Sequence, residues 1–193
     1  MNVTDRFGII VWSAVNVKDN NFKNGAELQG YFTKGLEKIL HQYQYGKELL
    51  GWDEILEGGV ASNATVMSWQ GMTGGVEAAK LNHKVVMAPT DYCYLDYNQD
   101  DPFYEKPADG NLKLKTVYEF EPVPSGIDST LILGGQGNLW SESVPHFRQV
   151  QYMLWPRSLA MSEVLWSPKN TRNWKDFIKR THRYLKRFDL ADQ

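Results

Sequence analysis

Four short apolar runs in this chain each end in an aromatic or acidic residue: Trp52 with Asp53 and Glu54, Trp69, Tyr94 with Asp96, and Trp140 with Glu142. Any one tryptophan is most simply a core or rim residue, because an indole supplies a large buried area wherever it sits. Four such endings in succession weaken that reading. An aromatic face beside a carboxylate suits a sugar: the ring's C–H face stacks on an indole, and its hydroxyls donate to the carboxylate. The chemistry these residue types offer therefore points towards carbohydrate.

The elements that must hold them are short. The runs at 49–52, 65–69, 85–88 and 131–134 are too brief for helices and do not alternate. Strands buried on both faces of a parallel sheet look like this. The clearest helix spans 24–43, where Leu28, Tyr31, Phe32, Leu36, Ile39, Leu40 and Tyr43 recur every three or four residues. Asn24 with Glu27 reads as a capping box and Gly46 as a stop. Further helices are expected at 73–82 with Asn82 as its cap, at 112–119, at 146–166 with a break at Pro156, and at 174–188. In the last, Trp174, Phe177, Ile178, Tyr184, Leu185 and Phe188 form one apolar stripe. Strand followed by helix, repeated, predicts a parallel α/β architecture, and in a parallel barrel all strand ends open on one face where ligands bind. Residues 97–111 read as a long polar loop with two prolines, and GIIVW at 8–12 could add a strand.

With 42% hydrophobic and 23% charged residues among 193, the chain has the composition of a folded domain. Lys and Arg total 21 against 23 Asp and Glu, so there is no positive excess to neutralise a phosphate backbone or coat an anionic membrane. No run reaches the roughly 18 apolar residues of a membrane span, and the first residues lack the basic start and long apolar core of a signal peptide. The single cysteine, Cys93, makes neither an intrachain disulfide nor a multi-thiolate zinc site, and reads as inert packing. His41, His83, His146 and His182 are widely separated, which argues against a metal site. Gly135-Gln136-Gly137 after a strand hints at a dinucleotide fingerprint, but Trp140 holds the place of the third glycine, and an indole there blocks the close approach of backbone to pyrophosphate. No cofactor is expected. Lys175, Lys179, Arg180, Arg183, Lys186 and Arg187 read as the solvated face of the last helix, and the sequons at Asn2 and Asn63 matter only in a eukaryotic secretory setting.

At its strand ends the sequence resembles the catalytic domain of family 20 glycoside hydrolases, the β-N-acetylhexosaminidases. The resemblance rests on Leu28-Gln29-Gly30-Tyr31-Phe32, Gly51-Trp52-Asp53-Glu54-Ile55-Leu56-Glu57-Gly58-Gly59, Thr65-Val66-Met67-Ser68-Trp69, Tyr94-Leu95-Asp96-Tyr97, Gly135-Gln136-Gly137-Asn138-Leu139-Trp140-Ser141-Glu142, and Pro156-Arg157 through Glu163-Val164-Leu165-Trp166-Ser167-Pro168. The pieces stand in the family's order at compatible distances. It implies a partial (β/α)₈ TIM barrel, approximately strands five to eight with their helices, over residues 21–193, with 1–20 as an unmatched N-terminal segment.

It also implies a chemistry, substrate-assisted retention, in which the sugar's own 2-acetamido oxygen attacks the anomeric carbon while a glutamic acid protonates the leaving oxygen. By position, Trp52, Trp69 and Trp140 resemble the indoles that box the acetamido group and sugar face. Tyr94 resembles the phenol that hydrogen-bonds the acetamido oxygen. Asp96 and Glu142 resemble the carboxylates that accept from hydroxyls at the far side of the ring. The catalytic aspartate and glutamate of the family lie upstream, in a Gly-Gly-Asp-Glu-like motif that this sequence does not contain; Asp53-Glu54 belongs to the separate GWDE motif. The implied partners are N-acetylated amino sugars (GlcNAc and GalNAc glycosides) and a further N-terminal half-barrel needed for activity, and the implied parent enzyme is exported. Against this stand a non-catalytic or inert half-barrel that binds such sugars weakly at most, and a hydrolase using Asp96 and Glu142 as its carboxylate pair.

Overall fold

The computed structural model describes residues 22–43, 47–100, 109–142 and 144–191, with side chains as far as Arg187. The strand expected at 8–12, the stop at Gly46, the sequon at Asn2, the loop prolines Pro102 and Pro107, and the side chain of Phe188 lie outside them. The chain forms two compact units, Met1–Val66 and Met67–Gln193.

In the first unit, helix α1 (Gly25–Gln42) begins where the capping signal placed it, with the Asn24 side chain accepting from the Glu27 N–H at 3.0 Å. The return half of the box is shifted: the Glu27 carboxylate accepts from the Lys23 N–H, at 2.8 Å. After α1 come strand β1 (Leu50–Trp52) and a 3₁₀ turn (Asp53–Leu56). The Thr65 N–H donates to the Leu49 carbonyl at 2.8 Å, which pairs the start of strand β2 (Thr65–Ser68) with the start of β1. Helix and loop meet backbone to backbone. A Cβ on Gly30 would lie 1.9 Å from the Gly58 carbonyl oxygen, and one on Gly58 would lie 1.9 Å from that of Ala26. Glycine is required on both sides of that approach, which explains why the two motifs that resemble the family carry it.

The second unit takes the end of β2 and continues through α2 (Thr73–Lys80), β3 (Val85–Met87), α3 (Thr90–Cys93), α4 (Leu114–Glu119), β4 (Ile132–Gly135), α5 (Phe147–Leu154), α6 (Arg157–Trp166) and α7 (Trp174–Ala191). Asn82 takes φ 65° just beyond α2, the left-handed conformation of a helix stop. Strands β2, β3 and β4 lie side by side in chain order. β3 and β4 are parallel, with Val85 opposite Ile132, Val86 opposite Gly134 and Met87 opposite Gly135. Leu133 is left over in that register, a bulge that Gly134 allows by taking φ 137°. The architecture is α/β with parallel strands, as the order of runs predicted.

Burial on both faces holds along all of β2 but not throughout. Leu50 of β1 is 50% exposed and Leu133 of β4 57%. Each belongs to a strand with a described neighbour on one side only, and Leu133 is also the bulge residue. Ala78, Val117, Ala160, Val164 and Phe177 of the helices are buried, as is Phe120 just beyond α4. Pro156 separates α5 from α6, as expected of a residue that lacks the amide hydrogen to continue a helix. Across α4, α6 and α7, the Glu163 carboxylate accepts from the Tyr118 hydroxyl at 2.9 Å and from Arg180 at 2.6 Å. Arg180 also binds Asp176 at 2.8 Å. It is therefore an interhelix tie, whereas Lys175, Lys179, Arg183, Lys186 and Arg187 are solvated as the charge pattern predicted.

Cys93 is fully buried, and burial pushes its thiol up to about 12, well away from reactive thiolate. His146 caps α5, its Nδ1 accepting from the Gln149 N–H at 3.1 Å. Among the described residues no group of His, Cys, Asp and Glu is arranged to hold a metal ion, and no helix is long and apolar enough to cross a membrane.

Candidate functional site

The second unit brings three of the aromatic strand-end residues together, Trp69, Tyr94 and Trp140, with Tyr94 at the centre. Its ring centroid lies 6.3 Å from Trp69, stacked, 6.4 Å from Trp140, tilted, and 5.7 Å from Tyr97. These separations are those of interacting aromatic pairs. Tyr94 is buried, whereas Trp140 remains 41% exposed, so the cluster has a floor and an open side.

Backbone pairing beyond the strand ends fixes these residues. The Gln136 N–H donates to Met87 at 3.0 Å, Asn138 to Cys93 at 2.7 Å, and Leu95 to Asn138 at 2.6 Å, with Tyr94 and Asn138 forming a parallel bridge. The β3–β4 pairing thus resumes after the short helix α3 and carries Tyr94 alongside the segment leading to Trp140. Gly135-Gln136-Gly137 is part of this extended pairing, and none of the described residues between it and α5 is helical, so it does not open the helix N-terminus that a dinucleotide site needs. Trp69 is held in its own loop. Its carbonyl accepts from the Thr90 N–H at 3.0 Å, while the preceding Ser68 hydroxyl donates to Gly71 at 2.7 Å and accepts from the Gly75 N–H at 2.8 Å.

Asp96 lies two residues beyond Tyr94 and is half-buried. Burial pushes its carboxyl above the usual 3.8; backbone N–H groups of Asp96 and Trp140 act to lower it, and the negative charges of Glu142 and Asp109 act to raise it. Its Oδ1 is buried with no hydrogen-bond partner among the described residues. Glu142 itself is exposed. Trp52 and the adjoining Asp53-Glu54 belong to the first unit, where Trp52 is half-buried and precedes the 3₁₀ turn, and Asp53 is buried.

A raised carboxyl has a stability consequence of definite sign. Folding disfavours the ionised form of Asp96, so the stability present below pH 3.8 is lost as pH rises through the elevated value. Asp96→Asn is therefore expected to melt at a higher temperature than the parent at pH 7, and the gap should close as pH falls below the ordinary carboxylate range. Equal melting curves at pH 7, or a gap that widens in acid, would remove the strain attributed to this group.

Arg157, of the Pro156-Arg157 motif, has no task legible in the sequence. The structure buries its side chain completely beneath the 95–97 segment. Tyr97, the fourth ring of the cluster, likewise has no role legible in its motif. Its adjacency to Asp96 was the available signal.

Residues 13–169 match the description of the glycosyl hydrolase family 20 catalytic domain. The chain is 42% identical over 179 residues to a beta-hexosaminidase of Porphyromonas gingivalis, a match covering 90% of this chain and 23% of that protein. It is 30% identical over 151 residues to a beta-hexosaminidase of Vibrio furnissii, covering 75% of this chain and 24% of the relative. It thus spans about a quarter of the length of these relatives. Among solved structures, it is similar to a family 20 exo-β-N-acetylglucosaminidase of Vibrio harveyi, crystallised in complex with N-acetylglucosamine. There the TM-score is 0.81 and the identity 31%, over 91% of this chain and 28% of that one. Sequence motifs, parallel α/β fold and relatives agree, and the chain belongs to glycosyl hydrolase family 20.

Proposed function

We propose that this chain is the sugar-binding side of a β-N-acetylhexosaminidase, residues 21–193 supplying approximately strands five to eight of the catalytic barrel without the catalytic Asp-Glu pair. The observation that carries the reading is the Trp69, Tyr94 and Trp140 cluster with the Asp96 carboxylate beside it, in a chain of this family. Indole faces offer stacking surface to the sugar and its acetamido methyl. The Tyr94 hydroxyl is the donor for the acetamido oxygen, and the buried Asp96 Oδ1 is an acceptor for a sugar hydroxyl. Glu142 serves a neighbouring hydroxyl. Trp52 is assigned as the third indole on the resemblance alone.

In the complete enzyme the acetamido carbonyl oxygen forms a bond to the anomeric carbon as the glycosidic C–O bond breaks. A general acid from the upstream half gives its proton to the leaving oxygen. Water, giving a proton back to that same acid group, then attacks the anomeric carbon as its bond to the acetamido oxygen breaks, with net retention. The residues of this chain bind and orient: holding the acetamido group against the anomeric carbon replaces a bimolecular encounter by a fixed one.

N-acetylglucosamine, or a thiazoline that mimics the oxazoline, is expected to change the tryptophan fluorescence of the chain, while glucose, which lacks the acetamido group, leaves it unchanged. Affinity is weak, because only part of a pocket wall is present. An equal response to both sugars, or none to either, would sink the acetamido reading.

A further inference from the structure

We propose that Arg157 is a positioning residue whose guanidinium sets the segment bearing Tyr94 and Asp96. Its side chain is fully buried at the start of α6. One terminal nitrogen donates to the Tyr97 carbonyl at 2.8 Å and the Leu112 carbonyl at 2.9 Å. The other donates to Leu95 at 2.7 Å and to Met153 at 2.8 Å, and Nε donates to Met153 at 3.2 Å. The carbonyls of Leu95 and Tyr97 stand immediately before and after Asp96. A single planar cation therefore grips the backbone on both sides of the carboxylate and ties it to the end of α5 and to Leu112.

The chemistry suits arginine alone. The five N–H groups of a guanidinium diverge in one plane at fixed angles, so acceptors on three different segments are met at once and held in register. An ammonium has three donors on one atom and cannot span the same set. Bonds from a cation are also roughly twice as strong as neutral ones, which matters where a loop must stay ordered with a buried, unsatisfied carboxylate oxygen in it. The Asn98–Asn111 bridge and the Leu112 N–H bond to Asn98 at 2.7 Å close the same patch from its far side.

The consequence for binding rests on the sugar-site reading above, but the positioning role is measurable without any ligand. In the unmutated chain, ¹⁵N-labelled Arg157 should show separate guanidinium resonances in slow exchange with water. Fast, averaged exchange would overturn the proposal, and this measurement decides the matter if a variant fails to fold. In ¹³C-tyrosine-labelled Arg157→Lys, the ring signals of Tyr94 and Tyr97 should shift while that of Tyr118, packed on Trp174 and Phe177, stays in place. Unmoved Tyr94 and Tyr97 signals in a folded variant, or equal movement of all three, would overturn it. N-acetylglucosamine affinity should fall about tenfold in Arg157→Lys. If the unmutated chain ignores the sugar while the tyrosine signals shift as described, the sugar reading fails and the positioning role stands.

Discussion

Purified on its own, the 193-residue chain is expected to release p-nitrophenol from a p-nitrophenyl N-acetyl-β-glucosaminide no faster than background. The reaction requires a general acid within hydrogen-bond reach of the glycosidic oxygen, and such proton transfer typically contributes about 10²–10⁴-fold. It also requires an anion to hold the acetamido nucleophile. On the proposed reading Asp96 and Glu142 supply neither: they are assigned to hydroxyls on the far side of the ring, and burial disfavours the anionic form of Asp96. Supplying an upstream half that carries the Asp-Glu pair should raise the rate above background. Robust turnover by the chain alone, abolished by Asp53→Asn or Glu54→Gln, would instead make the GWDE pair catalytic. Turnover abolished by Asp96→Asn and Glu142→Gln would favour the Asp96–Glu142 hydrolase.

In an enzyme with the complete barrel, Tyr94→Phe is expected to lower kcat by about 10² or more while changing KM much less. The hydroxyl gains importance as the acetamido oxygen turns from a spectator into the attacking atom, so its loss falls on the transition state more than on the bound sugar. The ring remains to stack on Trp69 and meet Trp140, which keeps the substitution local. Unchanged turnover would remove Tyr94 from the mechanism; a rise in KM at constant kcat would reduce it to a binding contact.

Local signals carried most of the fold. The apolar spacing and Asn24 placed α1 to within a residue at each end, and the four short runs appear as β1 to β4 with ends shifted by a residue at most, because uninterrupted apolar runs between polar segments have few other ways to be buried. What escaped was non-local. Leu133 reads as one more core residue until the register with β3 is known, and only pairing reveals a bulge. Arg180 is indistinguishable from its basic neighbours on α7 until Glu163 on α6 is brought within 2.6 Å. The strand-end aromatics were legible as a set, and those of the second unit do meet at Tyr94. Arg157 was not, because its acceptors are backbone carbonyls, a group every residue possesses and no side-chain pattern announces.

The buried thiol beside the cluster gives the protein a built-in clock. Cys93 is the only cysteine, its thiol is held near 12, and its carbonyl receives the Asn138 N–H in the pairing that seats Tyr94. Because the Cys93 side chain is fully buried, an added disulfide reagent labels the chain only during moments when this patch comes apart. The labelling rate thus times the breathing of the Tyr94 segment directly, with no engineered probe and no background from a second thiol.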